Sequence, residues 1–209
     1  MIYEIESYLD ELFPNPKCEL NYNKDYELLI AVMLSAQTTD KRVNKVTEAL
    51  FKKYPTLNDL KNADIKDIET IIREIGTYKR KAICVKEISR IIDEEYNGTV
   101  PNNRKVLESL PGVGRKTCNV VLSNIYNVPA IAVDTHVSRV SKRLGLAYKK
   151  DDVDKIEKKL MKKIKKENWS RRHHQLVLFG RYKCKAQKPE CENCKLINIC
   201  KEKKHRDKI

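Results

Sequence analysis

Hydrophobic residues recur along most of this chain with the period of an α-helix. Residues 26–37 form a largely apolar run that is long enough for a buried helix, and residues 40–54 carry an apolar face opposite Lys and Glu. The same spacing predicts further helices over residues 64–75, 79–96, 103–110, 115–126, 135–144, 152–166 and 170–180. No stretch alternates with a period of two for long enough to predict a strand. The pattern therefore predicts an all-α fold.

Composition and length narrow the class of protein. The 209 residues suffice for one large domain or two small ones with a buried core. With 41% hydrophobic and 34% charged residues, the chain has the composition of a folded protein and not of a disordered one. The longest apolar run, Leu28 to Leu34, is far shorter than the roughly 20 residues of a membrane helix. The N-terminus does not resemble a signal peptide, so we expect a protein of the cell interior.

The net charge points to a polyanionic partner. Lys and Arg total 43 against 29 Asp and Glu, which gives a formal charge of +14. A field of that sign favours nucleic acid or an anionic membrane. A lysine-rich surface also serves solubility alone, so charge by itself leaves the partner open.

A glycine-rich turn separates two of the predicted helices. Pro111 ends the first helix, because proline lacks an amide proton and clashes with the preceding turn. Gly112 and Gly114 then permit backbone angles that other residues avoid. An anion site at the start of the second helix is expected from outward-pointing amides of Val113, Gly114 and Arg115. This helix–hairpin–helix pattern grips DNA phosphates without reading sequence; an ordinary tight turn is the alternative.

Lys116 lies in the first turn of the second helix. The positive end of the helix dipole disfavours an ammonium there and so favours the neutral amine, which is a nucleophile. A cationic lysine that contacts a phosphate would fit the same position. The residue pattern alone leaves both roles open.

An aspartate follows an apolar stretch at residues 131–133 and precedes another predicted helix. Asp134 is placed to be the N-cap of that helix, with its carboxylate accepting an amide proton near Val137. A carboxylate held rigidly at a helix mouth is also suited to steady a positively charged sugar or to take a proton from an amine. The structural and the chemical role are compatible.

Four cysteines near the C-terminus have metal-site spacing. Cys184, Cys191, Cys194 and Cys200 form the pattern C-x6-C-x2-C-x5-C. Structural zinc with four cysteines usually has two close C-x2-C pairs, whereas only one pair here is that tight. The wider gaps favour a [4Fe–4S] cluster over zinc. Cys18, Cys84 and Cys118 lack such spacing, and the last two are expected to be buried apolar residues.

Together these residues resemble the endonuclease III family of helix–hairpin–helix DNA glycosylases. The matching motifs are Leu34-Ser-Ala-Gln-Thr-Thr-Asp40, Leu110-Pro-Gly-Val-Gly-Arg-Lys-Thr117, Val133-Asp-Thr-His136, Gly180-Arg-Tyr182 and the cysteine spacing. The resemblance covers nearly the whole chain and implies the helix–hairpin–helix glycosylase fold. It implies a six-helix barrel domain at residues 18–128 and a discontinuous iron–sulfur cluster domain at residues 1–17 and 129–209.

The resemblance also implies a bifunctional DNA glycosylase and abasic-site lyase of base excision repair. Lys116 would attack C1′ of a damaged nucleotide, and β-elimination from the resulting Schiff base would cut the strand 3′ to the lesion. Asp134 would support both steps, and Gln37 would fill the gap left by the flipped nucleotide. Further DNA contacts would come from Thr77, Gly112, Val113, Gly114, Arg115 and His136.

The implied partner is double-stranded DNA that contains damaged pyrimidines or abasic sites. The chain would act as a monomer in the cytoplasm of a prokaryote, associated with the nucleoid. One departure from the family concerns the segment Ile75-Gly76-Thr77-Tyr78, where the family often has Leu in place of Thr77. Threonine offers less apolar area to insert between bases, which weakens the expected wedge.

Two other functions fit parts of the same pattern. A monofunctional mismatch glycosylase of the superfamily would share the hairpin and the cluster but generally lacks the lysine at position 116. A non-catalytic DNA-binding iron–sulfur module would keep the basic charge, the hairpin and the cluster. The pair of Lys116 and Asp134 favours the enzyme over both.

Overall fold

The structure, a computed structural model, describes residues 1–202 and contains helices and turns with no strand in that range. The predicted all-α class is therefore confirmed. The helices, numbered α1 to α11 in chain order, are Ile2–Leu12, Asp25–Leu34, Asp40–Lys53, Leu57–Asn62, Ile65–Ile71, Tyr78–Glu95, Arg104–Ser109, Arg115–Tyr126, Thr135–Arg143, Val153–Lys163 and Trp169–Leu178. A 3-10 turn at Lys166–Asn168 precedes α11, and a π-helical turn at Phe179–Lys183 extends it.

Several helices end at residues other than those that the hydrophobic periodicity predicts. Helix α2 ends at Leu34, three residues before the predicted end, and α5 ends at Ile71 although Ile72 and Ile75 remain buried. After α5 the apolar spacing continues because Ile72 and Ile75 still face the core, whereas none of residues 35–37 after α2 is buried. Helices α1 and α4 were not among the helices that the periodicity predicted.

None of the helices within residues 1–202 has both the length and the apolar character that a membrane span requires.

One compact unit comprises Glu19–Tyr126 and is built around α2. This helix is apolar on all sides, and every residue from Tyr26 to Leu34 is buried. Helices α3, α6 and α8 pack against it, while α4 and α5 pack against α6. The unit thereby holds α7 and α8, the two helices on either side of the glycine-rich turn.

The other unit comprises Met1–Cys18 and, in the described part of the chain, residues 127–202. Helix α1 packs against α11, and α9 contacts α10, α11 and the π-helical turn. The carboxylate of Asp10 on α1 accepts hydrogen bonds from Arg171 (2.7 Å) and Arg172 (2.6 Å) on α11. The bond from Arg172 is the main reason that the pKa of Asp10 lies far below its usual range. These contacts fix the first helix of the chain to the last.

Candidate active site and cysteine cluster

The hairpin between α7 and α8 follows the predicted geometry at its first glycine. Gly112 has φ +77°, in the left-handed region that favours glycine. A Cβ atom there would lie 3.2 Å from Met33 Cγ on α2 and 3.2 Å from Cys84 Sγ on α6. Gly112 is therefore required both by its backbone angle and by close packing against two helices.

The second glycine and the amides depart from the prediction. Gly114 does not adopt a positive φ, and a Cβ atom there would meet nothing within 4 Å. The amide of Val113 donates to the Leu110 carbonyl (3.1 Å) and so closes the turn, and the Val113 side chain is buried. The expectation that Val113 contributes an outward amide is therefore wrong. Gly114 is exposed, and its amide has no hydrogen bond within residues 1–202.

Lys116 is exposed in the first turn of α8, as predicted. The opposite face of α8 buries Cys118, Val121 and Leu122, and this face fixes the direction in which the lysine points. Arg104 of α7 donates to the Asn119 side chain (2.7 Å) and ties the two hairpin helices together. The amine is thus solvent-accessible on a rigid support.

Asp134 is the N-cap of α9, and this prediction is confirmed. Its Oδ1 atom accepts a hydrogen bond from the Val137 amide at 2.7 Å. The preceding residues Ile131, Ala132 and Val133 are buried, so the backbone that carries Asp134 is anchored in the core of its unit. Asp134 belongs to the discontinuous unit and Lys116 to the unit of residues 19–126.

His136 is enclosed by the turn that follows α11. Its Nδ1 atom lies 3.2 Å from Nη2 of Arg139, and the same guanidinium donates to the Gly180 carbonyl at 2.7 Å. A Cβ atom on Gly180 would approach His136 Cβ to 2.8 Å, so only glycine fits against α9 there. Burial lowers the pKa of His136, and Arg139 and Arg181 act in the same direction, while Asp134 opposes them. The imidazole is therefore half-buried and partly desolvated within one turn of Asp134.

Gln37 and Thr77 occupy two exposed turn tips of the unit of residues 19–126. Gln37 follows the end of α2 with φ +58°, and Thr77 precedes α6 with φ +57°. Non-glycine residues adopt such angles rarely and at an energetic cost, which makes both positions candidates for function. The sequence indicated these residues only through family resemblance, because neither angle can be read from the residue type.

Lys81 is a further residue that the sequence interpretation missed. It is buried on the inward face of α6, where its ammonium donates to the carbonyls of Leu34 (2.8 Å) and Ala36 (2.7 Å). The sequence did contain a signal for a buried lysine, because Lys81 occurs in an apolar stripe with Val85, Ile88 and Ile92. A lysine within such a stripe indicates a buried amine with specific acceptors.

The four spaced cysteines lie in a segment of turns after the π-helical turn. The amide of Cys194 donates to Cys191 O (3.1 Å), and that of Lys201 donates to Arg143 O on α9 (2.7 Å). Cys184 and Cys194 pack against the apolar core of the discontinuous unit, in which Leu196 is 2% exposed. The segment thus has a defined path although it forms neither helix nor strand.

Two arginines of α9 bind the start of this segment. Arg139 donates to Cys184 O (3.2 Å), while Arg143 donates to Cys184 Sγ (3.4 Å) and Lys185 O (2.7 Å). Burial raises the pKa of the Cys194 thiol, and the three other cysteines of the set raise it further. In the part of the chain that the structure describes, no three His, Cys, Asp or Glu side chains converge on the position of one metal ion. Cys84 and Cys118 are buried, as predicted.

Comparison with known proteins identifies relatives over the full chain. Residues 30–166 match the model of the HhH-GPD superfamily base excision DNA repair protein. Endonuclease III of Bacillus subtilis (strain 168) is 50% identical over 208 residues, which cover 98% of this chain and 95% of the relative. Endonuclease III of Escherichia coli (strain K12) is 44% identical and covers 98% of this chain and 96% of the relative.

Solved structures of similar fold include complexes with DNA. A trapped endonuclease III–DNA covalent intermediate, the estranged-adenine complex, has a TM-score of 0.93 and 49% identity, and it covers 99% of both chains. A non-covalent endonuclease III–DNA complex also has a TM-score of 0.93, with 50% identity. A thermostable thymine-DNA glycosylase is more distant, with 26% identity and a TM-score of 0.84. The predicted helix–hairpin–helix glycosylase fold is thereby confirmed.

Proposed function

This chain belongs to the endonuclease III family of base excision DNA repair proteins, and on that basis we propose that it is a bifunctional DNA glycosylase and abasic-site lyase with Lys116 as nucleophile. The observation that carries the proposal is an exposed lysine in the first turn of α8, directly after the hairpin that Gly112 and Gly114 form. A structurally similar relative forms a covalent intermediate with DNA, which is the chemistry expected of such an amine.

The hairpin holds the DNA backbone in this proposal. Gly114 is exposed, its amide has no hydrogen-bond partner in the described chain, and the space where a side chain would stand is open to a phosphate. Arg115 adds a positive charge at the same helix N-terminus, and Val113 supports the turn from the buried side. Such contacts fix the position of the duplex and are independent of its sequence.

Base removal and strand cleavage then follow from one amine. The neutral Nζ of Lys116 attacks C1′ of the flipped nucleotide, the glycosidic bond breaks, and the base leaves with a proton. Opening of the sugar ring at C1′–O4′ gives a protonated Schiff base between lysine and sugar. Loss of a proton from C2′ then expels the 3′ phosphate, and water finally releases the lysine from the cleaved product.

Asp134 supports both steps in our proposal. A carboxylate that accepts a hydrogen bond from the Val137 amide at the start of α9 is fixed in position. It would balance the positive charge that develops on the sugar and accept a proton from the attacking amine. His136, enclosed by Arg139 and Gly180, would contribute to the DNA contact from the same helix start.

The substrate proposed is duplex DNA that contains oxidised or ring-saturated pyrimidines or abasic sites. The damaged nucleotide has to leave the base stack before C1′ can be attacked, and damaged bases cost least to extrude. Gln37 would occupy the vacated space and Thr77 would insert from its own turn, since both stand at exposed tips. We further propose that the chain acts as a monomer in the nucleoid of a prokaryote.

Borohydride trapping on duplex DNA with one abasic site tests the nucleophile. We expect a covalent protein–DNA adduct from the natural chain, and no adduct from Lys116→Gln. Lys105→Gln is the matched control, because Lys105 is an exposed lysine on α7 of the same hairpin. An adduct that persists in Lys116→Gln would reject Lys116 as the nucleophile, and the absence of an adduct from the folded natural chain would reject the lyase mechanism. Release of an oxidised pyrimidine from a second duplex that carries that lesion, without an adduct, would then indicate a monofunctional glycosylase.

The cysteine segment fits an iron–sulfur cluster. The endonuclease III family generally carries a [4Fe–4S] cluster, and we propose Cys184, Cys191, Cys194 and Cys200 as its ligands. Each cysteine of such a cluster binds a different iron, so their sulfur atoms need not converge on one point, unlike the ligands of a zinc ion. Arg143 donates to Cys184 Sγ, and a hydrogen bond of this kind stabilises a thiolate ligand. The cluster would cross-link a segment that has no helix or strand of its own.

Colour and metal content test the cluster independently of activity. The purified chain should be yellow-brown and contain about four iron and four sulfide per molecule. Cys191→Ser should lose the colour, whereas Cys18→Ser, at a cysteine outside the spacing, should retain it. A colourless natural chain that contains zinc would contradict the assignment.

A further inference from the structure

Lys81 connects two separate turns of the unit of residues 19–126. Its ammonium donates to Leu34 O (2.8 Å) and Ala36 O (2.7 Å) at the end of α2. Its backbone amide donates to Thr77 O (3.1 Å) in the turn that starts α6. Gln37 follows Ala36 directly, so one residue holds the chain beside both exposed tips.

The acceptors of Lys81 explain why an ammonium is buried there. The last carbonyls of a helix have no partner within the helix, and a lysine can satisfy them and interact favourably with the negative end of the dipole. The same position on the apolar face of α6 would suit a hydrophobic side chain. Burying an ammonium is costly unless its N–H groups donate to hydrogen-bond acceptors. The bonds of Lys81 are therefore directed at the end of α2 and not at the core.

Both tips need support from their surroundings. Gln37 and Thr77 have φ values of +58° and +57°, which a non-glycine residue maintains only when neighbouring groups fix the backbone. Ala36 O belongs to the peptide group that precedes Gln37, and Thr77 O belongs to the one that follows Thr77. The side-chain bond to Ala36 O thus restrains the backbone directly before Gln37. The bond to Thr77 O is the first backbone bond of α6, so the Lys81 side chain acts on Thr77 by joining the start of α6 to the end of α2.

We propose that Lys81 is a positioning residue that presents Gln37 and Thr77 together for insertion into the DNA stack. The proposal rests on the proposed function, in which these two residues fill the space around the flipped nucleotide. Lys81 itself is buried and acts through the two turns. Its loss should impair only those substrates whose nucleotide has to be extracted from a stacked duplex.

Comparison of duplex with single-stranded substrate provides the test. The rate of borohydride trapping is measured for Lys81→Met on an abasic site in duplex DNA and on the same strand alone. We expect a decrease of roughly 10- to 100-fold on the duplex, since small misplacements of positioning groups have effects of this size. The rate on the single strand should be unchanged, because no stack has to be filled.

Lys86→Met is the matched control. Lys86 lies on the same helix and donates to Ala63 O (2.7 Å), the C-cap residue of α4, so it makes the same kind of bond away from the tips. This variant should trap both substrates like the natural chain. Equal losses on duplex and single strand in Lys81→Met, or no loss on either, would overturn the proposal. Failure of the natural chain to form any adduct would instead reject the proposed function.

A double-mutant cycle separates positioning from a general loss of stability. If Lys81 acts through the tip, adding Gln37→Ala to Lys81→Met should reduce duplex trapping less than Gln37→Ala does in the natural chain. Additive losses would contradict the coupling. If Lys81→Met does not fold, the same measurements apply to Lys81→Gln, which retains a side-chain donor.

Discussion

At the scale of single residues, Gly180 shows how close the turn after α11 comes to α9. An added Cβ atom would lie 2.8 Å from His136 Cβ and 3.3 Å from its Cα atom. We expect Gly180→Ala to lower the free energy of unfolding by about 1–3 kcal/mol, because backbone has to move to relieve the overlap. Chemical denaturation measures this against Gly76→Ala, where a Cβ atom meets nothing within 4 Å. Equal stability of the two variants would contradict the close approach.

His136 and His174 should make the fold sensitive to acid. Burial lowers the pKa of both imidazoles below the ordinary value of 6.5. For His136, the positive charges of Arg139 and Arg181 lower the pKa further, whereas the negative charge of Asp134 raises it. The unfolded chain then binds more protons, so stability is complete above about pH 6.5 and falls as the pH decreases below it. Melting temperatures at about pH 5.5 and about pH 7.5 should differ less in His136→Gln than in the natural chain. An unchanged difference would exclude His136 as a contributor.

At the scale of elements, the two hairpin glycines should respond differently to the same substitution. Gly112→Ala meets a left-handed backbone and two side-chain contacts of 3.2 Å, so both stability and DNA binding should decrease. At Gly114 the backbone is not left-handed and an added Cβ atom meets nothing within 4 Å. Gly114→Ala should therefore change the free energy of unfolding by no more than about 0.5 kcal/mol. DNA affinity should still decrease, since the new methyl group stands where a phosphate would approach. Thermal melting and fluorescence anisotropy measure the two effects, and full DNA affinity of folded Gly114→Ala would contradict the phosphate site.

Periodicity predicted those elements whose ends coincide with a change of residue type. Helix α8 begins and ends where expected, at Arg115 and Tyr126, because the glycine turn precedes it and the apolar spacing stops there. At the early end of helix α2, the Leu34 carbonyl accepts a hydrogen bond from Lys81, 47 positions along the chain, and no local pattern carries that information. The Asp134 N-cap was predictable since capping is local. The positive φ of Gln37 and Thr77 was not, because tertiary contacts impose it.

At the scale of the whole molecule, the charge of +14 implies an affinity for DNA that depends strongly on salt. A protein that neutralises 6–10 phosphates loses roughly 10³- to 10⁵-fold in affinity between about 50 and 200 mM salt. We expect a steep linear decrease of log affinity with log salt, measured by anisotropy on duplex DNA with an abasic site. Lys116→Gln should reduce the slope by at most about one unit, as one contact among many. A flat response in the natural chain would contradict backbone recognition.

The contact between Asp10 and Arg172 spans 162 positions along the chain. During synthesis on a ribosome, the unit of residues 19–126 is complete while the partners of α1 have not yet been made. The first helix therefore emerges early and remains an unsupported amphipathic segment until α11 leaves the exit tunnel. The residues of α11 thus determine when those of α1 can pack, and a chain that stops before α11 would leave α1 exposed to proteases.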